Sequence, residues 1–177
     1  MTKFQLLNSS TPKTSSIVVA TIRSKITEET GKKILAITAK GWDIKFHTYT
    51  SLTNKVKVTP NTEEGLKIWC TNTLDSNFSE GQNDIYLQAK QICTLPTSRE
   101  KLLKDKKVIA TGEDWQGRAT AYTTEGINDL VILELKGNKK PTKKEIEDWC
   151  NKALEKEIEE GQDNTNLTLK WCTKTGA

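Results

Sequence analysis

Residues Trp69–Thr94 read WCTNTLDSNFSEGQNDIYLQAKQICT, and residues Trp149–Thr173 read WCNKALEKEIEEGQDNTNLTLKWCT. Trp69, Cys70, Leu74, Glu80, Gly81 and Gln82 recur as Trp149, Cys150, Leu154, Glu160, Gly161 and Gln162, and Cys93-Thr94 recurs as Cys172-Thr173. All 4 cysteines of the 177-residue chain lie in this duplicated stretch. The chain is therefore read as a tandem duplication.

Each segment reads as a helical hairpin. Ile146, Trp149, Cys150, Ala153, Leu154 and Ile158 follow the spacing of one helix face, and Leu66, Trp69, Cys70 and Leu74 repeat it. Thr62 and Thr142 are placed as N-caps. Thr142 with Glu145 makes a capping box behind Pro141, whereas in the first unit the box would need Asn61 with Glu64. Gly81 and Gly161 suit a left-handed helix stop, after which a second, shorter helix carries each unit to its last cysteine.

Counting outward from these glycines, the flanking cysteines lie at nearly equal distances. An antiparallel hairpin turning there brings Cys70 to Cys93 and Cys150 to Cys172. Four cysteines allow three connectivities, and the duplication favours this one. Each closed loop would stabilise the fold by about 3 kcal/mol on the chain-entropy model. Four buried, reduced thiols are the alternative. Zinc is disfavoured because no C-x-x-C occurs and the ligands would come from separate repeats.

A fainter echo lies upstream. Trp42 and Tyr49 recur as Trp115 and Tyr122, each pair following a short apolar run. The expected organisation is an N-terminal arm at 1–33, a first unit at 34–94, a basic linker or linker helix at 95–107 and a second unit at 108–173. The expected fold is mainly α, with short strands around 45–58 and 130–135 as the α+β alternative. Trp42, Trp69, Leu74, Trp115, Trp149, Leu154 and Trp171 are assigned to the core. An aromatic ligand cluster is the lesser reading of the tryptophans.

The composition is lean, with 34% hydrophobic and 28% charged residues and a net charge of +4. The basic excess lies in residues 1–33 and 95–106, outside the repeated segments, and lacks interleaved aromatics. That argues against nucleic-acid binding. No run is long and apolar enough to span a membrane, and Ile17–Ile22 is too short for a secretory h-region.

Catalytic signatures are missing: no G-x-S-x-G, P-loop, G-x-G-x-x-G or H-E-x-x-H. The single histidine, His47, sits in Lys45-Phe46-His47-Thr48-Tyr49. No catalytic, metal or cofactor residues are assigned. A site built from Trp42, His47 and Tyr49 is the enzyme alternative.

The Trp-Cys units resemble those of the large paralogous families of hemotropic mycoplasmas. The resemblance rests on Trp69-Cys70, Leu74, Phe78-Ser79, Tyr86 and Cys93-Thr94 in the first unit. In the second it rests on Trp149-Cys150, Leu154 and Trp171-Cys172-Thr173. The stretch Asp114–Tyr122 is similar to that family's upstream helix. Ile92, Ile158 and Thr165 depart from the pattern, standing where aromatics are expected. The resemblance implies an expanded paralogue at the cell surface, varying to evade host immunity, with no enzymatic activity or functional residues to carry over. The expectation is thus a non-enzymatic surface or secreted interaction protein, antigenic, with a protein partner that the resemblance places in the host. An intracellular adaptor with free thiols is the alternative.

Overall fold

The computed structural model describes residues 12–14, 16–125, 130–135, 137, 140–162 and 165–177. Much of the expected N-terminal arm, residues 1–11 and 15, lies outside the described residues. Among those described, eight α-helices form and no strand does.

The helices fall into two sets of four. The first is α1 (Ile22–Thr30), α2 (Trp42–Ser51), α3 (Glu63–Leu74) and α4 (Asn83–Ile92). The second is α5 (Ser98–Lys104), α6 (Asp114–Glu125), α7 (Lys143–Leu154) and α8 (Thr165–Cys172). Each set closes its own core. Ile22, Ile26, Leu35, Trp42, Leu66 and Ile92 gather round Cys70 and Cys93. Leu102, Trp115, Ile132, Ile146, Leu154 and Trp171 gather round Cys150 and Cys172. Both cysteine pairs are bonded, with Cα atoms 5.6 and 5.5 Å apart.

The repeat reaches further upstream than the sequence reading drew it. Residues 95–107, read as a linker or linker helix, carry α5, which stands to the second unit as α1 stands to the first. Ile22 donates its N–H to Ser76 O at 3.0 Å, and Ser98 donates to Lys156 O at 3.2 Å. Phe78 donates to Ala20 O and Ile158 to Pro96 O, both at 2.8 Å. Arg23 pairs with Asp75 at 2.9 Å, and Arg99 with Glu155 at 2.6 Å. Each unit ends on the same clasp. Leu35 N–H reaches Cys93 O and Ala110 N–H reaches Cys172 O, both at 2.9 Å.

Local chemistry explains where the helices start. Thr21, Thr97 and Thr142 each accept a backbone N–H from the third residue on, and Ser24, Glu100 and Glu145 return the bond as capping boxes. Thr62 is the cap of α3, accepting from Gly65 N, so Asn61 plays no such part. A methyl group at Gly65 would stand 1.8 Å from Pro60 O, which only glycine avoids.

Where the helices stop differs from expectation. α3 and α7 end at Leu74 and Leu154, well before the glycines. The reason is the paired backbone beyond them: Ser76–Phe78 and Lys156–Ile158 leave the helix to bond the entries of α1 and α5. Ile158 therefore lies outside the helix. Gly81 sits in a 3-10 turn at Glu80–Gln82, while Gly161 has the left-handed φ of 80° but in a loop.

The strand alternative fails at both places. Residues 45–51 are helical, and Leu133–Leu135 form a 3-10 turn. The segments that looked extended instead wrap a tyrosine. Tyr49 donates its hydroxyl to Val56 O at 2.8 Å and accepts from Val58 N–H at 3.3 Å. Tyr122 accepts from Ile132 N–H at 3.0 Å. The upstream Trp–Tyr echo is thus a true structural repeat.

Candidate functional site: the cleft between the units

The two units meet where α2 packs on α5. Lys45 of α2, fully buried, reaches the Glu100 carboxylate of α5, and Thr48 donates its hydroxyl to the same group at 2.6 Å. Burial pushes the Lys45 ammonium below its ordinary pKa, and the Glu100 charge opposes that shift. At the rim, Asp43 pairs with Lys104 at 2.7 Å. That bond holds the Asp43 carboxyl below the usual range and lifts the Lys104 ammonium. Lys33 crosses the boundary twice: its N–H reaches Glu157 Oε1 at 3.0 Å and its Nζ reaches Glu159 at 2.6 Å.

Beside this seam opens a cleft of about 920 Å³. Trp42, Ile44, Leu95, Pro96 and Ile158 supply its apolar wall, and Glu63, Lys67, Lys101 and Glu159 its charged rim. The chain reaches it because Gly41 opens α2 at φ 108°, with Pro96 Cγ 2.9 Å from where a Cβ would stand. A side chain at residue 41 would push the Leu95-Pro96 connection away from α2. The cleft holds apolar contact area ringed by both signs of charge. It offers surface for binding.

The residues singled out from the sequence are dispersed. Trp42 is in the cleft wall and 4% exposed, while Tyr49 is 3% exposed and spent on the Val56–Val58 segment. His47 is half-buried on α2 and does not line the cleft. Of the residues named for the enzyme alternative, Trp42 lines this cleft and His47 and Tyr49 do not. Trp115, Trp149 and Trp171 are core residues of the second unit, and Trp69 is partly buried at the edge of the first. Leu74 and Leu154 are buried.

No family model, curated protein or solved structure matches this chain. Among the described residues, no group of three or more His, Cys, Asp or Glu side chains converges as metal ligands would. No helix among them is long and apolar enough to cross a membrane. The two closed disulfides suggest an extracellular protein.

Sequence reasoning missed the cleft because its walls come from α2, α3, the 95–96 connection, α5 and the 158–161 loop. One signal for the seam was legible. Thr21-Ile-Arg-Ser-Lys25 matches Thr97-Ser-Arg-Glu-Lys101 at Thr, Arg and Lys. That match marks α5 as the first helix of a unit.

Proposed function

We propose that this is a non-enzymatic interaction protein, exposed at the cell surface or secreted, in which a disulfide-framed scaffold presents divergent outer faces to a protein partner. The observation that carries it is the pairing of all four cysteines at equivalent places in two units whose cores are small. Staples of this kind belong to oxidising compartments and to lean cores.

The two units supply a comparison of frame with face. Cys70 and Cys150, and Leu74 and Leu154, are kept and buried. On the outer turns of the same helices the charges exchange sign: Glu63 stands opposite Lys143, Glu64 opposite Lys144, and Lys67 opposite Glu147. Ile68, 47% exposed, has Asp148 as its counterpart. A helix that must only fold tolerates such exchanges, and one that varies to meet or escape partners exploits them. The similarity of the Trp-Cys units to the hemotropic mycoplasma families supports the same reading, with the host as source of the partner.

The test is to alkylate the native protein without reduction and weigh its tryptic peptides, taken from the organism's own cells. Linked Cys70–Cys93 and Cys150–Cys172 peptides are expected. Four alkylated thiols would overturn the reading in favour of an intracellular adaptor.

A further inference from the structure

The backbone pairing that joins the two units leaves one edge open at the head of the first. Residues 93–98 are bonded on both sides. On one side Leu35 N–H reaches Cys93 O and Leu95 N–H reaches Lys33 O, both at 2.9 Å, around an antiparallel bridge of Ile34 with Thr94. On the other, Ile158 N–H reaches Pro96 O and Ser98 N–H reaches Lys156 O. Residues 172–174 are paired in the first way, against 108–110.

The segment ahead of α1 has only one of these partners. Ala20 and Thr21 correspond to Pro96 and Thr97, so Ile17, Val18 and Val19 correspond to Cys93, Thr94 and Leu95. Phe78 N–H on Ala20 O and Ile22 N–H on Ser76 O fill the edge that faces 76–78. Among the described residues nothing fills the opposite edge, and Ile17, Val18 and Val19 make no backbone bond. Cys93 and Thr94 are 0% and 1% exposed, whereas Ile17, Val18 and Val19 are 89%, 88% and 53% exposed. Three consecutive β-branched residues on an unpaired edge are what a pairing strand looks like.

We propose that residues 16–20 pair antiparallel with the same segment of a second copy of this chain, in a register centred on Val18. The pairing inside the molecule supplies the pattern: Thr94 faces Ile34, and the residues on either side of Thr94 carry the bonds. With Val18 facing Val18 of the second copy, Val19 N–H meets Ile17 O of the second copy, and the two-fold axis returns the same bond. The edge is therefore self-complementary, as an isologous contact must be. Ser16 faces Ala20 of the second copy, so the ends of the strip are small and the β-branched residues meet at its centre. The ladder then runs from 76–78 of one molecule through both edges to 76–78 of the other, and strands flanked on both sides pair better than an isolated pair. A contact of a few residues per copy belongs to the small, transient class of interfaces, so this dimer forms and dissociates readily. It is independent of the partner-binding reading above, and cysteine redox state does not test it.

The experiment is sedimentation of the full chain from about 10 μM to about 1 mM, the range of weak association, with amide exchange followed over the same series. The mean mass is expected to rise from that of one chain towards that of two. Exchange at Ile17 and Val19 should slow as it does, while Val18, whose N–H points to the other edge, should not change. Val18→Lys sets like charges face to face and should weaken association about tenfold. Val19→Pro removes the donor and should do the same. Both positions are exposed, so unchanged thermal midpoints separate lost pairing from a folding defect. The proposal is overturned if the chain stays monomeric at millimolar concentration, if Val18→Lys associates as the parent does, or if Val18 rather than Val19 becomes protected. A chain that stays monomeric but whose Val19 exchange slows with a synthetic peptide of residues 32–36 would give the edge to a partner's strand, and would also overturn it.

Discussion

The Lys45 ammonium lies 2.9 Å from both carboxylate oxygens of Glu100, and its side chain is 1% exposed. Glu100 also accepts the Thr97 backbone N–H at 3.4 Å as the return arm of a capping box. One carboxylate therefore starts a helix and fastens that helix to the neighbouring unit.

Removing one side of this pair should be costly. Glu100→Ala leaves a buried ammonium without its counter-charge and is expected to destabilise the protein by about 3 kcal/mol. Lys45→Met with Glu100→Gln removes both charges and should fall within about 1 kcal/mol of the parent. Urea unfolding of the three proteins checks the contrast; equal losses would show that the charge pair itself supplies the stability.

The two disulfides close loops of nearly equal length, with separations of 23 and 22 residues. Replacing Cys70 and Cys93 with Ala, or Cys150 and Cys172, should cost about 3 kcal/mol in either case. Denaturant midpoints of the two double variants are the measurement. A large difference between them would mean that packing around one bond outweighs loop closure.

Gly65→Ala should be among the most damaging single-methyl additions. The new Cβ would meet the Pro60 carbonyl at 1.8 Å, so either α3 or the loop before it has to move. A loss of about 3 kcal/mol is expected, the upper end for overpacking. Gly117→Ala, with open space around its Cβ, is the control and should be neutral or slightly stabilising. Thermal unfolding distinguishes the two.

Tyr86 donates its hydroxyl to Glu29 Oε2 at 2.6 Å, and burial with the Glu29 charge pushes its pKa up to about 12. The folded state holds the phenol proton more tightly than the unfolded chain does. The resulting stability is present below pH 10 and fades as pH rises towards 12. Glu29 works in the opposite sense: its bonds to Lys25 and Tyr86 lower its pKa, so its contribution is lost as pH falls below about 4.5. Ultraviolet titration should show one of the three tyrosines ionising near pH 12, and Tyr86→Phe should abolish that step.

Much of the frame was legible because covalent and periodic signals write themselves locally. Trp69-Cys70 and Trp149-Cys150 recur at one spacing, Thr142 and Glu145 stand at box distance, and the paired cysteines follow from hairpin symmetry. Non-local effects escaped. α3 and α7 stop at Leu74 and Leu154 because backbone further on bonds to Ala20–Ile22 and Pro96–Ser98, and no local residue announces that pairing. The stretch of α5 reads as a linker or linker helix because its match to α1 runs at a different offset from that of the Trp-Cys segments and rests on Thr, Arg and Lys alone. The cleft needs five separate pieces of chain, so nothing in a linear pattern marks it.

The connection between the units is Leu95-Pro96, and both residues are bonded: Leu95 N–H to Lys33 O at 2.9 Å on one side, Pro96 O to Ile158 N–H at 2.8 Å on the other. A protease needs an extended, unattached segment to seat in its groove, and most tandem proteins offer one at their joint. Here cutting the joint requires opening both units at once. Proteolysis at this joint therefore waits on the opening of the folded units rather than on a loose tether.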